Sequence, residues 1–88
     1  MSSVELDGFL FKKSKRKDKK YDVFRNNKFV ASFGGNPSKY SHYKDKIGLY
    51  SHLDTNDDER RRLYFARHGK KSLKGTPRYF SHTYLWSK

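Results

Sequence analysis

The 88-residue sequence has no cysteine, one methionine, two prolines and only nine acidic residues. Without cysteine there is no disulfide and no thiolate metal site, and the redox compartment leaves no mark. No apolar run approaches the ~18 residues of a membrane-spanning helix. The opening MSSVELDGFLFKK lacks the basic start and long apolar centre of a secretory signal. A protein that is neither secreted nor membrane-spanning is therefore expected. Apolar residues are scarce at 33%, so the aromatic content of 17%, seven Tyr, seven Phe and one Trp, must supply much of the core. Each buried aromatic removes ~150–250 Å² from water. A chain of this length forms one domain burying little over ~60% of its unfolded surface, which leaves little room for an enclosed substrate pocket.

What the chain has in excess is positive charge. Twenty-one Lys and Arg stand against nine Asp and Glu, a net charge of +12. Such an excess opposes compaction by self-repulsion and favours polyanionic partners. The four histidines lack the local pairing of a zinc site, and no Ser/His/Asp arrangement stands out. Gly34-Gly35 precedes Pro37 as a turn and does not open a phosphate-binding helix. Asp57, Asp58 and Glu59 cluster, but they suit a helix start; a nuclease would need more carboxylates and a pocket. The expectation is a non-catalytic protein with no cofactor, metal or small-molecule substrate.

Residues 4–12, VELDGFLFK, alternate as a strand with Phe9 and Phe11 on one face, Leu10 on the other, and Gly8 weakening it or marking a bulge. Residues 12–20, KKSKRKDKK, carry seven basic side chains and read as a flexible, solvated loop with nothing to bury. Residues 21–25 and 28–33 form a hairpin through Asn26-Asn27, since Asn tolerates positive φ. Tyr21 and Val23 share one face of the first strand; Phe29, Ala31 and Phe33 share one face of the second. Tyr40, Tyr43, Ile47 and Tyr50 follow one helical stripe, which predicts a helix over 38–50, with Gly48 ending or kinking it.

The clearest helix covers residues 55–69, TNDDERRRLYFARHG, and the chain reads as organised around it. Thr55 and Asp58 resemble a capping box, acid begins the helix, Arg67 and His68 end it, and Gly69 follows. Arg60, Tyr64, Arg67 and His68 lie along one side at 3.6 residues per turn. Residues 70–77 form a basic linker. Residues 78–86, RYFSHTYLW, fit a strand or, slightly better, a helix, and are too aromatic to remain undocked. The predicted fold is α+β: a small antiparallel sheet of two or three strands, two helices within 39–68, and a docked aromatic C-terminal segment.

Basic residues interleaved with aromatics suggest sequence-nonspecific nucleic-acid binding, because arginine forks take phosphate bidentately and lysines add point charge. The candidate residues are Lys12, Lys13, Lys15, Arg16 and Lys17 in the loop, Arg60, Arg61, Tyr64 and Arg67 on the helix, and Lys70 and Lys71 beyond it. No helix-turn-helix, zinc-finger or RNA-recognition signature accompanies them, so base-specific reading is not expected.

Three stretches carry a resemblance: Ser32-Phe33-Gly34 followed by Tyr43-x-Asp45-Lys46-Ile47-Gly48-x-Tyr50-Ser51-His52; Glu59-Arg60-Arg61-x-x-Tyr64-x-Ala66-Arg67-His68-Gly69; and Tyr79-Phe80-Ser81-x-x-Tyr84-Leu85-Trp86. Taken in order, they resemble a family of small basic proteins of unassigned function encoded by large DNA viruses and some tailed phages, over roughly residues 20–86. The resemblance implies a virion or host-cell setting, where such a protein meets packaged genome, with DNA favoured over RNA. The alternative partner it implies is an acidic capsid protein, met by a minor capsid or cement protein. It assigns no binding residues.

Overall fold

The computed structural model describes residues 3–69 and 71–87. Four strands, β1 (Ser3–Leu6), β2 (Phe9–Lys13), β3 (Tyr21–Arg25) and β4 (Lys28–Phe33), form one antiparallel sheet in sequence order. A 3-10 turn follows at Ser51–Leu53, then helices α1 (Asp58–His68) and α2 (Pro77–Tyr84). The α+β class is as expected, but there are four strands instead of two or three. The stretch read as one N-terminal strand is a hairpin. Asp7 and Gly8 take φ of 54° and 82° and join Leu6 to Phe9, as Asn26 and Asn27, at 51° and 64°, join Arg25 to Lys28. Two positive-φ residues give a tight turn whose twist matches the strands. Asp-Gly here is that turn and not a bulge.

The inner face of the sheet carries Phe9, Phe11, Tyr21, Val23, Ala31 and Phe33, all buried. Phe29 leaves this face. An irregularity at Val23/Phe24 pairs Phe24 with Phe29 while Val23 still faces Ala31, so Phe29 stands outside with Phe24 and is 60% exposed. Helix α2 packs across β4 and inserts Phe80 and Tyr84 into the core. Its ends follow from local chemistry. Thr76 caps the N-terminus by accepting from the Tyr79 amide, and Pro77 occupies the first turn, where its missing N–H is no loss.

No helix forms over residues 38–50. Ile47 and Tyr50 still pack in the core and Tyr43 is also buried, but Tyr40 is 59% exposed. The backbone here has better partners than its own preceding turn. The amides of Tyr43 and Lys44 donate to Leu85 O and that of Lys46 to Tyr84 O, satisfying the carbonyls left over at the end of α2. The carboxylate of Asp45 takes the Ile47 and Tyr50 amides, and Gly48 at φ 102° completes the turn.

Helix α1 does form, but the chain is not organised around it, because none of its residues is buried. Its cap is Asp57, accepting from Glu59 N and Arg60 N; Thr55 instead donates to His42 O, and Asp58 accepts from the Tyr43 hydroxyl. Eleven residues reading DERRRLYFARH present too narrow an apolar stripe to drive into a core. The core lies between the sheet, α2 and residues 47–50.

The segment 12–20 is not wholly a solvated loop. Lys12 and Lys13 belong to β2, and Lys20 is only 1% exposed. Only the residues between Ser14 and Lys20 connect strands, closed by the Ser14 amide on Lys20 O. Exchanging Lys15 through Lys19 for Asn-Gly is expected to lower stability by under ~1 kcal/mol, a shift of a few degrees in thermal midpoint. Excising all of 12–20 should abolish the cooperative transition in the same melt.

Candidate nucleic-acid interface

One side of α1 presents Arg60, Leu63, Tyr64, Arg67 and His68, spaced to fall on a single face, and this face walls a groove of about 450 Å³. Gly35, Tyr40, Ser41, Lys20, Leu85 and Trp86 line the rest of it. Trp86 is held there by stacking and hydrogen bonding. Trp86 stacks on Tyr64 with ring centroids 4.3 Å apart and planes 7° from parallel. The Tyr64 hydroxyl lies 2.8 Å from His82 Nδ1 and 3.1 Å from Ser81 Oγ. Arg61 Nε donates to the Trp86 carbonyl at 2.7 Å, and its guanidinium sits 4.9 Å from the Phe65 ring centre.

The groove is cationic: Lys20, Arg60 and Arg67 line it, and among the described residues no carboxylate does. Arg60 Nη1 donates to Ser41 Oγ at 2.7 Å. The Arg67 guanidinium makes no hydrogen bond or ion pair with a described residue, and neither does the Lys20 ammonium. Lys20 reaches its position because residue 34 is glycine. Gly34 has φ +83°, and a Cβ there would stand 2.9 Å from Lys20 Cβ and 3.2 Å from Leu85 Cδ1. Burial pulls the Lys20 pKa down to about 8, against the attraction of Asp45. It is therefore mainly protonated at neutral pH.

Behind Lys20 lies a buried polar chain. Asp45 accepts from the Tyr21 hydroxyl as well as from the Ile47 and Tyr50 amides, each of these two at 2.8 Å. Its own amide donates to Asp54 Oδ1 at 2.8 Å, and the same oxygen lies 2.6 Å from His42 Nε2. Burial lowers the His42 pKa, with Asp54 opposing. Burial thus favours the neutral ring, which donates from Nε2 to the Asp54 carboxylate and leaves Nδ1 without a partner among the described residues. His42, Asp45, Asp54 and Tyr21 do not line the groove. They tie the turn at 42–54 to the sheet.

No family model, curated protein or solved structure matches this chain. Among the described residues, no three His, Asp or Glu side chains converge as a metal ion would require, and no helix is long and apolar enough to cross a membrane.

The candidate residues fall in separate places. Arg60, Tyr64 and Arg67 come together in the groove, with Tyr64 engaged in holding Trp86. Arg61 serves the C-terminus and, with Lys71, faces a second cleft on the other side of α1. Lys15, Arg16 and Lys17 lie in the β2–β3 connection, which borders Asn36–Ser38 just ahead of the Tyr40 wall; Arg16 pairs with Asp18 at 3.1 Å. Lys12 lies 5.4 Å from the Phe24 ring centre on the outer sheet face, and Lys13 lies 5.0 Å from that of Tyr50. Lys70 is outside the described residues. Sequence reasoning missed Lys20 and Trp86 as groove residues, and it reached Tyr40 only as part of a helical aromatic stripe, packed on the sheet or, less favoured, stacking on bases. The available signal was Gly34-Gly35: two glycines where one would serve a turn mark a close approach, here of Lys20 to the first and Tyr40 to the second.

Proposed function

We propose that the protein is a non-catalytic, sequence-nonspecific nucleic-acid-binding protein that holds the phosphate backbone along the groove beside α1. The observation that carries this reading is the cationic groove lined by Arg60, Arg67 and Lys20, with no carboxylate in it among the described residues. Arginine forks and a lysine suit phosphate, and an exposed arginine without a protein partner loses nothing internal when it binds one. The basic β2–β3 connection beside the Tyr40 wall adds long-range attraction. A viral or phage setting, with DNA as the preferred polymer, belongs to the same proposal and rests on the resemblance of the sequence.

Counterion release makes such binding fall with salt, with a log–log slope of about −0.9 per neutralised phosphate on a duplex and about −0.7 on a single strand. Exchanging Arg60 and Arg67 for Gln, and sparing Arg61 because it holds the C-terminus, should make the slope shallower by about two units in gel shifts at several salt concentrations. Affinity should fall alike on unrelated sequences. Unchanged binding would remove the groove from the interface.

One observation favours a second reading, a minor capsid or cement protein. Phe24 and the 60%-exposed Phe29 stand on the outer sheet face beside Lys12, an aromatic patch with cationic neighbours that suits an acidic subunit. If Phe29→Ser abolished assembly with an acidic partner while nucleic acid failed to shift at low salt, this reading would replace the first.

A further inference from the structure

We infer that the groove seats a single nucleotide of an unpaired strand, its phosphate on Lys20, Arg60 and Arg67 and its base against Tyr40 and Trp86. The inference rests on the nucleic-acid reading and adds to it a polymer class and a stacking site.

Three features point beyond simple backbone attraction. The first is Lys20. Lys20 as a residue is 1% exposed, and so enclosed an ammonium normally has a carboxylate or carbonyl on it, because taking an unpaired charge out of water is expensive. Here it has no hydrogen-bond partner among the described residues and lines an opening to solvent. Asp45 offers attraction from behind but makes no ion pair with Lys20, and it already accepts from Tyr21, Ile47 and Tyr50. An anion entering the groove supplies what Lys20 lacks. The second feature is size. About 450 Å³ lies within the ~300–1,000 Å³ of small-ligand clefts, whereas a duplex backbone tracks an open surface. The third is the pairing of cations with rings. Tyr40 is 59% exposed, an arrangement that wastes an aromatic in so small a core, yet it is propped against Gly35 at the groove wall. Trp86 is fixed by its stack on Tyr64 and by Arg61 on its carbonyl. Stacking of a base on such rings is tolerant of sequence and is worth ~1–3 kcal/mol per base. The larger cleft across α1 also carries Lys71, Arg78 and Tyr79, but its Arg61 is engaged by the Trp86 carbonyl and it holds no enclosed lysine like Lys20.

Trp86 is the chain's one tryptophan, so its fluorescence reports the groove directly. The full chain would be titrated with adenosine 5′-monophosphate, adenosine, ribose 5-phosphate and inorganic phosphate, and with a single-stranded and a duplex oligonucleotide. Adenosine 5′-monophosphate should quench Trp86 saturably and displace the single strand, whereas ribose 5-phosphate and inorganic phosphate should compete without quenching. Adenosine alone should bind at least about tenfold more weakly, the minimum for losing one charged hydrogen bond. Lys20→Met and Arg67→Gln should each weaken the nucleotide by about tenfold or more on the same grounds. Arg67 is exposed, so its variant keeps the test decisive if Lys20→Met fails to fold. If oligonucleotides bind with steep salt dependence but the mononucleotide neither quenches nor competes, the seat is overturned and the nucleic-acid reading survives. If the mononucleotide quenches but no strand binds, the groove takes free nucleotide only, and both the unpaired-strand assignment and the polymer reading fall. Equal affinity for duplex and single strand, with no quenching by either, also overturns the seat.

Discussion

Phe80→Ala is expected to remove about 3–5 kcal/mol of stability, the usual range for deleting a fully buried aromatic. Phe80 has no exposed surface and meets Phe9, Phe33, Tyr79, Phe11 and Tyr84 with ring centroids 5.1 to 6.2 Å apart. It is the side chain through which α2 closes the sheet. A domain of this kind has roughly 5–15 kcal/mol in all, so the variant should stand at the edge of folding. Leu63→Ala on α1 is the matched control. Leu63 is 46% exposed, and its loss should fall within about 0.5 kcal/mol. Urea titrations of the two variants measure both. Similar losses would mean that α1 is integral to the core, against the burial seen here.

The second large effect is expected at Asp45. Asp45→Ala strips partners from the Tyr21 hydroxyl and two buried amides and leaves the Lys20 charge without its one attractive neighbour. Breaking a buried charged network in this way should cost about 3–5 kcal/mol. Adding Lys20→Met should recover part of that loss, because the charge left stranded is then gone, and the double-mutant cycle reads their coupling. Fully additive losses would show that Lys20 and Asp45 do not sense each other.

Lys20→Met by itself has a pH signature. The folded pKa of about 8 lies below the ordinary 10.5, so between those values the unfolded chain binds more protons and stability rises with pH. The penalty of the buried ammonium is fully present below about pH 8; with screening by solvent in the groove it amounts to about 1–3 kcal/mol. Tyr21 and Tyr84 act in the opposite sense. Burial first, and then their bonds to Asp45 and Asp7, raise their hydroxyl pKa values, so the stability they contribute is present below about pH 10 and lost as pH climbs further. The urea midpoint of the unsubstituted chain should therefore rise from about pH 8 and turn over above about pH 10. Lys20→Met should lose the rising limb while keeping the fall. A rising limb that persists would assign it to general relief of the +12 charge.

What the sequence determined by itself is whatever depends on neighbours along the chain. Alternation placed Phe9, Phe11, Tyr21 and Val23 on one sheet face, because a strand's period of two holds whatever it packs against. Asn26-Asn27 and Gly69 were legible as positive-φ positions, and the stripe Arg60, Tyr64, Arg67, His68 was legible from helical spacing alone. Tertiary structure decided where partners distant in sequence outbid local ones. The aromatic spacing of residues 40–50 suggested a helix, but their amides bond the end of α2 and the Asp45 carboxylate, which no periodicity encodes. The capping role fell to Asp57 because Thr55 had a better acceptor in His42 O. The groove is the clearest case. Its helical wall could be read from one segment, but Lys20, the stretch holding Gly35 and Tyr40, and Trp86 come from three other parts of the chain. Lys20 looked like one more solvated charge in a basic run. Only the fold, by laying it along a glycine and under Leu85, made it a buried cation facing a groove.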